Sequence, residues 1–218
     1  GRAGNAPQGY AAGGGWVQAL AAALPARRHG TGEGRRVLDL CAAPGGKTLQ
    51  LAAAGWQVTA LDISDRRLDR LRENLARTDL PAEVIAADAL AWEPAEPFDA
   101  ILLDAPCTAT GTARRHPDVL HRIGARQIAD MVALEARLVE RAARWLTPGG
   151  RLVYAVCSLE REEGQDLAGR LALERDPIAA QELPGWITPT AEGWVRTDPG
   201  MLAGEGGLDG FFVARFRG

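Results

Sequence analysis

Two cysteines occupy positions where a thiolate could act as a nucleophile. Cys107 follows an apolar run in the sequence DAPCTATG, which begins at Asp104, and Cys157 closes another apolar run in VCSLEREE. A lone cysteine is most often a small buried apolar residue. Two cysteines on polar turns at strand ends, with the Asp104 carboxylate between them, favour a nucleophilic site instead. We expect a helix that begins near Glu160 to lower the pKa of Cys157 through its dipole.

A glycine-rich turn, DLCAAPGGKT, follows the first predicted strand. Small residues let the backbone approach a ligand closely, and the helix behind the turn offers free N–H groups. A nucleoside-triphosphate loop would need glycine five residues before the Gly46-Lys47-Thr48 triplet, where Cys41 stands. The G-x-G-x-x-G spacing of dinucleotide-binding proteins is also absent from this turn. An adenosyl ligand without a pyrophosphate remains as the candidate.

Carboxylates at the ends of later strands suit such a ligand. Asp62 ends the second predicted strand, where a carboxylate can accept hydrogen bonds from both ribose hydroxyls. Asp88 ends the third strand and is expected to reach the adenine amino group. An acidic residue after a strand often caps the next helix, and for any one aspartate this structural explanation is the better one. Asp62 and Asp88 together with a further strand-end aspartate, beside a glycine-rich turn, favour a ligand site.

Strand and helix patterns alternate along the chain, which predicts a doubly wound, mostly parallel α/β sheet of the Rossmann-like class. Such sheets bind ligands beyond the carboxyl ends of their strands, near the point where the strand order reverses. We expect a lead-in segment over 1–35, with a flexible start, a short helix ended by Pro25 and a Gly-rich linker, and a catalytic domain over 36–218. Strands are predicted over 36–42, 57–63, 82–88, 98–104, 151–158 and 209–216, and helices over 16–24, 46–55, 65–77 (capped by Ser64), 123–146 and 160–174.

Composition excludes several classes of protein. A chain of 218 residues can bury a core without disulfides or metals. A net charge of −3 argues against a general polyanion-binding surface. No apolar run is long enough to cross a membrane, and no signal-peptide pattern is present. Three widely spaced cysteines without a C-x-x-C pair predict neither a disulfide framework nor a zinc site, and they fit a reducing cytoplasm.

Five motifs in succession resemble those of the RNA cytosine-5 methyltransferases, the Nop/Sun family. They are LDLCAAPGGKT, ALDIS, DAPCTATG, VCSLEREEG and DGFFVARF, and the resemblance covers residues 36–216. The run DAPCTATGTARRHPDV is most similar to bacterial members that act on small-subunit ribosomal RNA, the Sun or B-type enzymes. A complete set of motifs in order is far more specific than any single glycine turn.

The resemblance implies roles for individual residues. S-adenosylmethionine would be the cofactor, with Asp62 on its ribose, Asp88 on the adenine side and Asp104 near the methyl group and the target base. Cys157 would attack the base, and Cys107 would help to break the resulting adduct, with no metal involved. The residues implied in cofactor binding are Cys41, Ala42, Ala43, Pro44, Gly45, Gly46, Lys47, Asp62, Arg67, Asp88 and Asp104.

Alternatives remain for the nucleophile and for the function. DNA cytosine-5 methyltransferases use the cysteine of a Pro-Cys pair, and Pro106-Cys107 is such a pair, whereas the RNA family favours Cys157. A non-catalytic RNA-binding or ribosome-assembly factor could keep the same fold, although the intact cysteines argue against it. A nicotinamide-dependent oxidoreductase is disfavoured because the dinucleotide fingerprint is absent.

RNA is the expected partner, and the resemblance points to small-subunit rRNA. A basic cluster at Arg114, Arg115 and His116, followed by further basic residues at 121, 122 and 126, would contact RNA phosphates beside the base-binding cleft. Such a run more commonly forms a solvated surface. Relatives carry an amino-terminal RNA-binding extension for which this chain has no room, so we expect target selection to depend on residues missing from it or on another protein.

Overall fold

The computed structural model describes residue 10, residues 12–121 and residues 123–218. A mixed sheet of eight strands forms its centre, in the order β3-β2-β1-β4-β5-β8-β6, with β7 paired to β8. The strands β1 to β5 run parallel, and β8 is antiparallel to β5, β6 and β7. This confirms the predicted doubly wound, mostly parallel α/β class. The strands are β1 Arg36–Leu40, β2 Gln57–Asp62, β3 Glu83–Ala86, β4 Phe98–Asp104, β5 Leu146–Val156, β6 Glu174–Arg175, β7 Val195–Thr197 and β8 Phe211–Arg217.

Helices cover the sheet, and their sequence patterns explain where they form. Ser64 caps α3, because its hydroxyl accepts from the Arg67 N–H, and the helix buries Leu68, Leu71 and Leu75 on one face as predicted. The helices are α1 Leu24–Arg27, α2 Gly46–Ala53, α3 Asp65–Thr78, α4 Ala125–Arg144 and α5 Leu167–Arg170, the last preceded by a π-helical turn over Glu162–Asp166.

The central strands are apolar on both faces, as expected for a sheet covered by helices on each side. Leu38 and Leu40 in β1, and Ile101 and Leu103 in β4, face one apolar cluster. Val37 and Leu102, which alternate with them, face the other cluster. The sheet is therefore packed against apolar residues on both faces.

Several element predictions are wrong in their boundaries, by one to four residues in most cases, and three of them need comment. Residues 16–20 do not form a helix; a short 3-10 turn over Ala21–Ala23 leads into α1, and Pro25 lies in the first turn of that helix. Proline suits this position because the first-turn N–H groups have no helical partner. The predicted helix over 160–174 begins at Glu162 and ends at Arg170. Strand β5 begins at Leu146 and contains Gly149, which has a positive φ of 75°.

Parts of two predictions concern residues outside the described ones. Residues 1–9 and 11 of the expected flexible start belong to this group, and so does Arg122 of the basic cluster. Within the described ranges, every helix is too short or too polar to cross a bilayer.

A buried acid in α4 was not singled out by the sequence. Glu135 has 0% exposure and lies inside the helix face that packs on the sheet. Burial, reinforced by the charge of Glu163, raises the pKa of Glu135 to about 9. The carboxyl group is therefore protonated, and uncharged, at neutral pH.

Glu135→Gln is expected to stabilise the protein increasingly as the pH rises. The folded chain keeps the Glu135 proton up to about pH 9, whereas the unfolded chain loses it near the ordinary pKa of 4.5. Between these values Glu135 holds more proton in the folded state, so its contribution to wild-type stability falls with rising pH, by at most about 1.4 kcal/mol per pH unit. Urea unfolding at about pH 5.5 and about pH 8.5 measures the difference in free energy of unfolding between the two proteins.

Glu140→Gln provides the matched control, because Glu140 is on the same helix but its side chain is 66% exposed. Its free energy of unfolding relative to the wild type should not depend on pH in this window. If Glu135→Gln behaved in the same way, Glu135 would be ionised in the folded chain and the interpretation would be wrong.

Candidate active site

The parallel pairing of β4 with β5 brings the two cysteine turns together. Asp104 at the end of β4 lies opposite Ala155 in β5. Cys107 is three residues beyond Asp104, and Cys157 is two residues beyond Ala155. The two sulfurs are 3.5 Å apart, although the cysteines are 50 residues apart in the chain. The structure thus places both cysteines at one edge of the sheet, beside Asp104.

The hydrogen bond between the two sulfurs shifts the pKa values of Cys107 and Cys157 in opposite directions. The bond from the Cys107 thiol is the largest influence on Cys157 and lowers its pKa; Lys47 acts in the same direction, while burial and Asp104 oppose it. The same bond, followed by burial, raises the pKa of Cys107. Of the two cysteines, Cys157 is therefore the one that ionises more readily. The helix expected near Glu160 begins at Glu162, two residues further from Cys157, and the largest influence on the pKa of Cys157 is the Cys107 thiol.

Cys41, in the turn after β1, differs from Cys157 in the direction of its pKa shift. Burial, followed by the charge of Asp62, raises the pKa of Cys41, so this residue stays a thiol. Its backbone adopts a left-handed φ of 65°. Cys41 therefore shapes the turn rather than offering a nucleophile.

Gly45 is required in this turn on two grounds. Its φ is 107°, a conformation that side-chain-bearing residues rarely adopt, at the N-cap position immediately before α2. A Cβ atom at this position would lie 2.4 Å from Leu71 Cδ1 in α3. The glycine-rich pattern thus reflects close packing of the turn against α3 as well as its approach to a cavity.

The larger of two cavities at this edge has a volume of about 620 Å³, within the range of small-molecule sites. Lys47 is nearly buried there, and its Nζ lies 2.7 Å from Asp104 Oδ2. Burial raises the pKa of Asp39 to about 7, even though its Oδ2 accepts a hydrogen bond from Thr48. Among the residues that line this cavity are Asp39, Ala42, Ala43, Pro44, Gly45, Gly46, Lys47, Asp104 and Arg115.

The second cavity gathers the remaining residues predicted to bind a cofactor. Asp62 is buried there and accepts hydrogen bonds from the backbone N–H groups of Ala43 and Ser64. Arg67 donates to the Ala43 carbonyl and lies 3.8 Å from Asp62. The lining also includes Cys41, Ile63, Arg67, Asp88, Leu90, Pro106 and Leu134. Asp104 and Pro106, which precede Cys107, therefore line one cavity each.

The basic cluster is tied to the end of the chain. Arg115 makes a bidentate pair with Asp209, with distances of 3.0 Å from Nε and 2.6 Å from Nη2 to the same carboxylate oxygen. Arg114 lies 3.6 Å from the other oxygen, and Asp209 itself is only 3% exposed. His116 is exposed beside them. A buried carboxylate thus holds Arg115 at the wall of the larger cavity.

The sequence missed a buried polar network that connects the two cysteine turns. Glu163 accepts from the backbone N–H and the hydroxyl of Thr108, and from the hydroxyl of Ser158. The Thr110 hydroxyl accepts from the Leu159 N–H. In the sequence Glu163 resembles its exposed neighbour Glu162, and only its place within the VCSLEREE motif could have drawn attention to it.

Comparisons with known proteins give consistent matches. The family model described as 16S rRNA methyltransferase RsmB/F matches residues 30–217. The ribosomal RNA small subunit methyltransferase B of Xylella fastidiosa (strain Temecula1) is 42% identical over 205 residues, which are 91% of this chain and 45% of that protein. The protein of the same name from Klebsiella pneumoniae subsp. pneumoniae is 45% identical over 188 residues, 84% of this chain and 42% of its own. The chain thus spans less than half the length of these relatives.

Solved structures agree with these matches. NSun6 from Pyrococcus horikoshii, solved with SFG, has a TM-score of 0.80 at 27% identity over 96% of this chain and 54% of that one. A methyltransferase homolog protein from the same organism has a TM-score of 0.76 at 29% identity over 93% of this chain and 67% of that one. Both similarities extend over nearly the whole sheet and its helices.

Cys107→Ala is expected to raise the pKa of the Cys157 thiol, because Cys157 loses its main hydrogen-bond donor. A hydrogen bond to a charged group contributes about 1.5–3 kcal/mol, so the pKa should rise by about 1 or more. The measurement is the rate of alkylation of Cys157 by iodoacetamide as a function of pH, followed by peptide mass spectrometry. Cys41, held as a thiol by burial, serves as the slow internal reference in both proteins. An unchanged or lower pKa of Cys157 would show that the sulfur contact does not set its ionisation.

Proposed function

Because the chain belongs to the 16S rRNA methyltransferase RsmB/F family, we propose that it transfers a methyl group from S-adenosylmethionine to C5 of a cytosine in small-subunit rRNA. The observation that carries this proposal is the sulfur pair. Cys107 and Cys157 are 3.5 Å apart, and the Lys47–Asp104 ion pair, which lines the larger cavity, is close enough to act on the pKa of Cys157. Two cysteine sulfurs, a carboxylate and an ammonium group at one edge of the sheet suit covalent catalysis on a pyrimidine.

The second cavity fits the adenosyl part of the cofactor. Ile63 is 71% exposed, and together with Leu90 and Pro106 it offers apolar surface for a purine. The carboxylates of Asp62 and Asp88 are the acceptors for ribose hydroxyls and for the adenine amino group. The turn from Cys41 to Lys47 leads from this cavity to the larger one, where the methionine part would lie against the backbone of α2. When bound, S-adenosylmethionine supplies an electrophilic methyl sulfonium.

Cys157 activates the base. C5 of cytosine is a weak nucleophile, but when the Cys157 thiolate forms a bond to C6, the ring becomes an enamine that is nucleophilic at C5. Electron density then moves to N3 and the exocyclic amine, and the Asp104 carboxylate, held by Lys47, can accept a hydrogen bond from the N–H of that amine. The target base must leave any stacked helix to reach these groups.

Cys107 is the base that we assign to the last step. The hydrogen bond with Cys157 is the main cause of its raised pKa. Once Cys157 is a neutral thioether, that cause is removed, so Cys107 can release its proton to water in the cleft. The resulting thiolate takes the proton from C5, the bond between Cys157 and C6 breaks, and Cys157 leaves as a thiolate. Both cysteines thereby return to their starting states.

Arg114, Arg115 and His116 are the proposed RNA contacts. Arg115 lines the same cavity as Asp104, and the buried Asp209 carboxylate fixes its guanidinium group there. A fixed arginine beside a base-binding cavity suits the phosphate of the flipped nucleotide. The net charge of −3 restricts such contacts to a local patch.

Loss of the gene that encodes this chain should remove one 5-methylcytosine from small-subunit rRNA. Bisulfite sequencing of rRNA from deletion cells makes the measurement, and complementation should restore the signal with the wild-type gene but not with Cys157→Ser. Persistence of every small-subunit 5-methylcytosine in the deletion strain would refute the rRNA substrate. A restored signal with Cys157→Ser would instead favour another nucleophile.

RNA containing 5-fluorocytosine at the target position should form a stable adduct with Cys157. Fluorine at C5 cannot be removed as a proton, so the bond between Cys157 and C6 cannot break after methylation. Peptide mapping of the crosslinked protein identifies the attached cysteine. Cys157→Ser should abolish the adduct, whereas Cys107→Ser should accumulate it even on ordinary cytosine RNA, because the final base is missing. Attachment through Cys107 would reverse the two roles.

A further inference from the structure

The Glu163 carboxylate joins the residues that follow the two cysteines. Thr108, which follows Cys107, donates to Glu163 from its N–H at 2.7 Å and from its hydroxyl at 2.5 Å. Ser158, which follows Cys157, donates its hydroxyl to the same carboxylate. One side chain on the turn before α5 therefore spans both cysteine turns.

The position of Glu163 is unfavourable unless these bonds are made. Its exposure is 0%, and within the described ranges no Lys, Arg or His nitrogen lies within ion-pair distance of it. Moving a carboxylate out of water without a counterion is costly, and three hydrogen bonds are what offset the cost. The bonds in turn fix the positions of Thr108 and Ser158.

Side chains from two strands bind the main-chain carbonyls of Glu163 and of the Cys157 turn. The Tyr154 hydroxyl donates to the main-chain carbonyl of Glu163 at 2.5 Å. Arg196 donates to the carbonyl of Ser158 at 3.0 Å and to that of Leu159 at 2.5 Å. The Cys157 turn is therefore anchored to β5 and β7. Glu163 joins the Cys107 turn to it through Thr108, next to the sulfur, whereas the Thr110 hydroxyl and the Gly111 N–H join the later residues of the Cys107 turn to Leu159 and to the Cys157 carbonyl.

We propose that Glu163 is the positioning residue that keeps the two sulfurs within hydrogen-bonding distance. It contacts neither sulfur; it acts through Thr108 and Ser158 on the separation between Cys107 and Cys157. This inference rests on the proposed function only in giving the sulfur pair a catalytic purpose, because the separation of the sulfurs can be measured without RNA or cofactor. Without the bridge, the bonds of Thr110 and Gly111 still hold the later residues of the Cys107 turn, but Thr108 and the adjacent Cys107 are released, so the distance between the sulfurs increases and the hydrogen bond to Cys157 weakens.

Glu163→Ala and Glu163→Gln test the proposal together. Glutamine keeps the size of the side chain, accepts from the Thr108 N–H and donates its amide to a hydroxyl, whereas alanine removes every bond. Alkylation of Cys157 as a function of pH should show a higher pKa in Glu163→Ala, and a pKa higher by about 1 leaves about tenfold less thiolate at neutral pH. Glu163→Gln should stay near the wild type. Equal profiles for all three folded proteins would overturn the proposal.

A double-mutant cycle shows whether Glu163 acts through Cys107. In a Cys107→Ala background the donor is already absent, so Glu163→Ala should cause no further change in the Cys157 profile. The same change in both backgrounds would mean that Glu163 acts on Cys157 directly, and the positioning role would be wrong.

Smaller substitutions keep the test decisive if Glu163→Ala does not fold. Thr108→Val and Ser158→Ala each remove one hydroxyl donor and keep the carboxylate, and each should move the Cys157 profile in the same direction by a smaller amount. Thermal unfolding identifies the folded proteins. Lower melting temperatures with an unchanged Cys157 profile would indicate a purely structural role for Glu163 and overturn the inference.

Methyl transfer to small-subunit rRNA, measured on the same variants, separates the two proposals. An altered Cys157 profile in Glu163→Ala without transfer by the wild-type protein would support the positioning role and refute the proposed function. Methyl transfer by the wild type, together with an unaltered pH profile of Cys157 alkylation in Glu163→Ala, would support the proposed function and refute the positioning role.

Discussion

The register between β4 and β5 is the constraint on which the site depends. Asp104 pairs with Ala155, and the parallel direction of the strands carries both chains out of the sheet at the same edge. Overhangs of three and two residues then bring Cys107 and Cys157 into contact. A shift of one residue would turn Leu102 and Val153 toward the opposite face, so the core that fixes the register also fixes the sulfur pair.

Acidic groups accumulate at this edge, and each has its own partner. Asp39 accepts from Thr48, Asp62 from two backbone N–H groups, and Glu163 from Thr108 and Ser158. Asp104 alone of these pairs with an ammonium group, supplied by Lys47, the single lysine of the chain. Because Asp104 raises the pKa of Cys157 and Lys47 lowers it, the ion pair brings a carboxylate close to the thiolate at little electrostatic cost.

Much of the fold and part of the site could be predicted because they depend on local patterns. The apolar runs of β1, β2 and β4 and the Ser64 cap of α3 are readable in a short window of sequence. The turn at Pro25 was misplaced because proline ends one helix and begins another equally well. The two cysteine turns could be placed side by side because the motifs follow adjacent parallel strands.

The remaining site residues depend on contacts between distant parts of the chain, which no local pattern contains. Arg115 and Asp209 are 94 residues apart, and they meet because β8 returns antiparallel to β5 and brings Gly210 against Gly111. A Cβ on Gly111 would lie 2.1 Å from the Gly210 carbonyl oxygen, so the two backbones need glycine to touch. The pairing of β8 with β5 therefore places the buried Asp209 carboxylate at the edge of the sheet where the two cysteines lie. In the sequence Arg115 looks like part of a solvated basic run, but its ion pair with Asp209 fixes the guanidinium group at the wall of the larger cavity.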